Sequence, residues 1–119
     1  MFEINHRGDH LEVAFRGMTL ASLLEAVEAT FLHPGFPKLN DLWIIGNQTL
    51  ALQFSDLQKI TDFAKEKYPA RATRNRTALL VVPGMNAGLA ELWADSAGEL
   101  PYQVKVFYRQ DDAMAWLRG

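Results

Sequence analysis

Two short apolar runs without alternation, Leu42-Trp43-Ile44-Ile45 and Ala78-Leu79-Leu80-Val81-Val82, set the tightest limit on what this chain can fold into. A strand with one wet face alternates apolar and polar residues. One covered on both faces reads as a continuous greasy stretch, as in the interior of a parallel sheet. Between the two runs, Ser55 and Gln58 form a capping-box pattern. Leu57, Ile60, Phe63 and Ala64 then fall on one helical face, with Asp56, Lys59, Asp62 and Lys65 away from it, which predicts a helix from about Asp56 to Lys67 closed by Pro69. Strand, helix and strand in this order make a crossover unit, which is right-handed in nearly every case.

The flanking patterns extend the unit. Phe2, Ile4 and His6, then Leu11, Val13 and Phe15, alternate on either side of Arg7-Gly8-Asp9, predicting a hairpin with one buried face. Thr19 stands as an N-cap before Leu20, Leu23, Leu24, Val27 and Phe31 at helical spacing, and His33-Pro34-Gly35-Phe36-Pro37 excludes further helix. Leu89, Leu92, Trp93 and Ala97 predict a helix with Gly98 as its stop, and Val104, Val106 and Tyr108 a last, less buried strand. Asp111 or Asp112 then caps a final helix that buries Ala113, Trp116 and Leu117. The expected fold class is therefore α/β: one domain over residues 1–119, in the order ββαβαβαβα, with a mixed, mostly parallel five-stranded sheet and packed helices. If successive strands add in one direction, the helices fall on one face. The other face of the two central strands is then an apolar patch of the kind that marks self-association or a greasy ligand, unless a helix or the hairpin wraps round to hide it.

Composition agrees with one core. A chain of 119 residues has no room for a second domain, and 49% apolar with 22% charged residues lies far from the composition of disorder. The formal charge of −2 and pI of about 5.9 give no general attraction to nucleic acid or anionic lipid. There is no cysteine, hence no thiolate nucleophile, disulfide or cysteine metal site. The polar start MFEINHRGDH lacks a signal-peptide core and no stretch reaches the ~18 apolar residues of a membrane span, so the expected location is the cytoplasm.

The element order, together with Phe15-Arg16-Gly17-Met18-Thr19-Leu20, Leu39-Asn40-Asp41-Leu42-Trp43, Phe54-Ser55-Asp56-Leu57 and Ala115-Trp116-Leu117, resembles the SpoIIAA-like group of small bacterial proteins with STAS or SEC14-like domains. The resemblance covers nearly the whole chain and rests mostly on core and cap positions, which speak to fold more than to activity. It implies a module without enzymatic chemistry. Relatives of that kind include anti-sigma-factor antagonists that bind partner proteins and domains that carry lipids. In the antagonists an Asp-Ser-Ser-Gly type loop carries a phosphorylated serine. Gln53-Phe54-Ser55-Asp56 is the matching segment, placing Ser55 at the phosphoacceptor position, with Gln53 where the pattern has Asp and Asp56 where it has Gly.

Open parallel sheets bind ligands beyond the carboxyl ends of their strands, where helix N-termini present free N–H groups. That edge carries Asn47, Gln48, Thr49, Ser55, Asn86 and Arg109, which could hold a small anion or a partner's carboxylate. Ser55, Asn86 and Asp111 also suit plain helix caps, each worth ~1 kcal/mol. Lys65, Lys67, Arg71, Arg74 and Arg76 form a basic stretch that could receive phosphate, or simply a solvated loop. His6, Asp9 and His10 have zinc-ligand chemistry without a ligand spacing, so no metal is expected. Gly84-Met85-Asn86-Ala87-Gly88 lacks the residues of a phosphate loop, His33 lacks a nucleophile partner, and no carboxylate pair is placed for acid–base work. Asn47-Gln48-Thr49 and Asn75-Arg76-Thr77 match glycosylation sequons that have no meaning in the cytoplasm. The sequence thus predicts no cofactor and no catalytic constellation. It points to a protein-interaction or regulatory module, partnered by another protein or by itself. A carrier or sensor of a lipid or other small apolar ligand is the alternative.

Overall fold

The structure is a computed structural model and describes residues 2–36, 38–46, 50–69 and 75–119. Strands β1 (Phe2–Arg7) and β2 (His10–Phe15) form the expected antiparallel hairpin, with Phe2 opposite Phe15 and Arg7 opposite His10. Gly8, at φ 62°, supplies the left-handed backbone that a two-residue hairpin loop needs. After β3 (Met18–Thr19) comes α1 (Leu20–Leu32), whose first turn is closed from both sides. The Ser22 N–H donates to Thr19 Oγ1 at 3.1 Å, and the Thr19 N–H donates to Ser22 Oγ at 3.0 Å.

The two greasy runs become β4 (Asn40–Gly46) and β6 (Arg76–Val81), paired in parallel with Leu42 beside Ala78 and Trp43 beside Leu79. A second small pairing joins β3 to β5 (Leu50–Ala51); at two residues each, these strands are too short to carry a readable period. Helix α2 (Phe54–Lys67) follows β5, α3 (Met85–Ser96) follows β6, and a single 3₁₀ turn (Ala97–Glu99) leads to β7 (Gln103–Phe107). Helix α4 (Gln110–Arg118) completes the order. The main sheet runs β1-β2-β4-β6-β7.

Each parallel strand is added on the same side of the one before, so the right-handed crossover rule sends α1, α2 and α3 to one face. The large core lies there, built from Leu11, Val13, Phe15, Trp43, Ile45, Leu79 and Val81 of the strands against Leu23, Val27, Ile60, Ala90 and Trp93 of the helices. Helix α4 follows the last strand and connects to none, so the rule does not bind it. It packs on the opposite face, where Ala113, Met114 and Leu117 bury Leu42 and Ala78. The bare second face considered from the sequence is therefore covered over its middle, with Ile44, Leu80, Phe107 and Trp116 half-buried around that small core.

Polar side chains pin the amino-terminal edge of the sheet. Asn40 Nδ2 donates to the Leu117 carbonyl at 2.7 Å, while its Oδ1 accepts from the Arg76 N–H at 2.8 Å, tying the end of α4 to two strands. Asn75, 3% exposed, donates to the Phe36 and Leu39 carbonyls, both at 2.7 Å, and accepts from the Tyr68 hydroxyl at 3.0 Å. A buried asparagine so engaged is a clamp and not a glycan acceptor. Replacing Asn75 with Ala strands two carbonyls and a hydroxyl, so the variant should unfold at a lower urea midpoint, losing about 2–4 kcal/mol by denaturant titration.

Candidate functional site

The carboxyl edge of the sheet gathers some of the residues singled out in the sequence. Ser55 is exposed in the first turn of α2, and Arg109 is exposed at the start of α4, where its carbonyl accepts from the Ala113 N–H at 3.1 Å. Asn47, Gln48 and Thr49 lie outside the described residues. Asn86 falls in the first turn of α3, but its side chain lies outside the described part.

Three expected caps are corrected, and the first is Asn86, since Gly84 is the N-cap of α3. Helix α2 begins at Phe54, two residues earlier than Asp56, with Gln53 and not Ser55 as N-cap. The bond that closes the turn runs from the Gln53 N–H to the Asp56 carboxylate, at 2.8 Å. Asp56 outcompetes the serine because an ionised acceptor near a helix N-terminus also gains from the helix dipole. Likewise Arg109 is the N-cap of α4, and Asp111 and Asp112 sit within its first turn. Ser55 is thereby left without a capping duty.

Around Ser55 and Arg109 the same edge exposes large apolar side chains. Phe54 is 72% exposed at the start of α2, Val82 51% at the end of β6, and Tyr108 45% after β7. The Tyr108 hydroxyl donates to Glu91 at 2.8 Å, and that carboxylate raises its pKa above the usual phenol range. Helical periodicity could not flag Phe54, which precedes the amphipathic stripe of α2.

The other edge holds a group that the sequence reading passed over. Asp41, at the start of β4, is 2% exposed. It accepts from Trp43 Nε1 at 2.6 Å and, on both oxygens, from Thr77 Oγ1 at 3.0 Å. Burial outweighs these hydrogen bonds and pushes its pKa up to about 7. Burial is also the main cause of the raised pKa of the neighbouring Tyr102, with the Asp41 charge and Tyr68 adding to it. The legible signal was an acid on the helix-facing side of an interior strand, two residues before a tryptophan on that side. A buried carboxyl of this kind suits acid–base chemistry. The cavity beside it, lined by Thr77, Thr61 and Tyr102 among apolar neighbours, measures about 20 Å³. That is room for about one water molecule and no substrate.

The remaining candidates are dispersed. Lys67 pairs with Glu28 at 3.6 Å, Arg76 donates to the Trp116 carbonyl at 2.7 Å, and Arg71 and Arg74 lie outside the described residues. His6 Nε2 bonds the Gly8 carbonyl at 2.8 Å while His10 Nδ1 bonds Asp9 at 3.0 Å. Among the described residues no three His, Asp or Glu side chains converge on a metal position. Asp9 also accepts from Arg118 at 2.8 Å, and its pKa falls to about 2, chiefly through His10 and then Arg118. No described helix is long and apolar enough to cross a membrane.

No protein-family model matches the sequence, and no curated protein matches it. Among solved structures the chain is similar to an uncharacterised protein of the DUF3478 family with a SpoIIAA-like fold from Shewanella loihica PV-4. The two share 18% identity over 98% of this chain and 92% of that one, at a TM-score of 0.57. The fold is SpoIIAA-like. At this identity the likeness carries architecture and not activity. Within the SpoIIAA-like frame, the Asp41 cluster is an interior feature under three helices, and the Phe54 edge faces outward.

The carboxyl of Asp41 has an ordinary value of 3.8, so the native chain holds a proton there that the unfolded chain has released between pH ~4 and ~7. Stability contributed by this group is therefore present at low pH and lost as pH rises through that window, by up to about 4 kcal/mol. In Asp41→Asn the amide oxygen still accepts from Trp43 and its nitrogen donates to Thr77. That variant should match the parent near pH 4 and melt several degrees above it at pH 8; equal melting temperatures at both pH values would contradict the assignment.

Proposed function

We propose that the chain is a non-enzymatic, cytoplasmic interaction module, a regulator of the anti-sigma-antagonist kind, whose partner protein docks on the carboxyl edge of the sheet. The observation that carries this reading is Phe54. Phe54 is 72% exposed beside the exposed Ser55, on the same edge of the sheet as Val82 and Tyr108, and apolar side chains grouped in this way are the kind of surface that a partner covers. Val82 and Tyr108 extend the apolar surface along the ends of the neighbouring strands, and Arg109 supplies a charge at its rim. The SpoIIAA-like architecture supports the reading by kind.

Ser55 is the candidate phosphoacceptor. A phosphate there would bring about two negative charges beside Phe54 and the Asp56 carboxylate, which already occupies the Gln53 N–H. Phosphorylation would thus oppose docking by placing charge next to the apolar contact. The carrier reading finds less support, since the cavity between sheet and helices has no room for an acyl chain.

Affinity capture from a lysate of the source organism, paired with sedimentation equilibrium, tests the proposal. Either a retained protein or a self-associated species is expected from the parent chain. Phe54→Asp and Ser55→Asp should each weaken that association by at least ~10-fold while leaving the melting temperature unchanged. A parent chain that stays monomeric and retains nothing, or variants that associate as well as the parent, would remove the basis for the reading.

A further inference from the structure

We infer that the free edge of β7 is a strand-addition site for an extended acidic peptide. Strand β7 pairs with β6 on one side only, and among the described residues no strand covers its other side. The Gln103 N–H donates to the Asn75 carbonyl at 3.1 Å, so Gln103 turns its backbone polar groups toward β6. Strand alternation then aims the N–H and C=O groups of Val104 and Val106 outward. The edge is open to a ligand: a groove of about 870 Å³ runs around it, bounded on the core side by the small residues Ala94, Ala97 and Gly98 and on the α4 side by Arg76, Lys105 and Trp116.

The α4 side decides the charge of the occupant. The Arg76 guanidinium lies 5.7 Å from the Trp116 ring, Trp116 meets Phe107 at 5.5 Å, and Lys105 Nζ lies 5.4 Å from the Phe107 ring. Two cations are thereby held on two touching aromatic rings, and no described carboxylate forms an ion pair with either. None of the described residues that line the groove is acidic. An incoming strand carrying Glu or Asp opposite Lys105 gains a cross-strand ion pair, with Arg76 nearby. A second copy of this chain fits worse. The antiparallel register that pairs most residues of β7 with itself is centred on Lys105 and sets two ammonium groups face to face. Lysine in mid-strand thus guards the edge against self-association while admitting an acidic partner.

The surface runs along β7 and does not include Phe54 or Ser55, so either assignment can fail alone. The probe is a short synthetic peptide alternating Glu and Val, compared with its Lys-for-Glu counterpart and with a version N-methylated on alternate residues to block pairing. Amide hydrogen exchange is followed by NMR at peptide concentrations up to ~1 mM. With the Glu peptide, exchange at Val104 and Val106 should slow by at least ~10-fold. The Lys peptide and the N-methylated peptide should leave both amides unprotected, and Phe54→Asp should leave the protection intact. Lys105→Glu should weaken binding of the Glu peptide by roughly 3- to 5-fold and improve binding of the Lys peptide. Unslowed exchange at both valines with the Glu peptide, equal protection by the Lys peptide, or protection that survives N-methylation would each overturn the inference.

Discussion

The lateral pairing of β4 with β6 is the contact on which the remaining architecture depends. Both strands are apolar on both sides, so each must be roofed twice, and a single chain can do that only by supplying helices to two faces. Right-handed crossovers supply the first roof automatically, because α1, α2 and α3 each connect neighbouring parallel strands. The second roof needs an element released from that rule, and α4 is released because no strand follows it among the elements of the fold. Its grip is specific: Leu117 enters the small second core, and its carbonyl receives the Asn40 amide.

The frame was largely legible in the residues, since the signals were of the periodic kind. Alternation gave the hairpin to within a residue, Thr19 announced α1, and the unbroken apolar runs marked the central strands. The face chosen by α4 was not legible, because handedness constrains crossovers and says nothing about a terminal helix. The start of α2 was misread for a different reason. Ser55 and Gln58 make an attractive capping pattern, but the Asp56 carboxylate accepts from the Gln53 N–H and closes a turn that starts two residues before Ser55, and charge decides it.

The candidate sites were legible only where composition and position coincided. Ser55 and Arg109 are accessible at the carboxyl edge, as strand order implied. Phe54 and Asp41 stand in the motifs that carry the resemblance but were not singled out as site residues. Phe54 precedes the amphipathic stripe of α2, so no period marks it, and only the sheet places Asp41 beneath three helices. Likewise the stacked row of Arg76, Trp116, Phe107 and Lys105 joins three elements that only the folded chain brings together.

The position of α4 also bears on how the protein comes into being. A domain generally folds as a unit, and a chain delivered amino terminus first completes that unit only when its last packed element is available. All the strands of the main sheet precede α4, so Leu42 and Ala78 stay uncapped on one side until its nine residues have emerged. Until then these apolar strands are open to chaperones, and translation arrested short of α4 would leave Leu42 and Ala78 without their second cover.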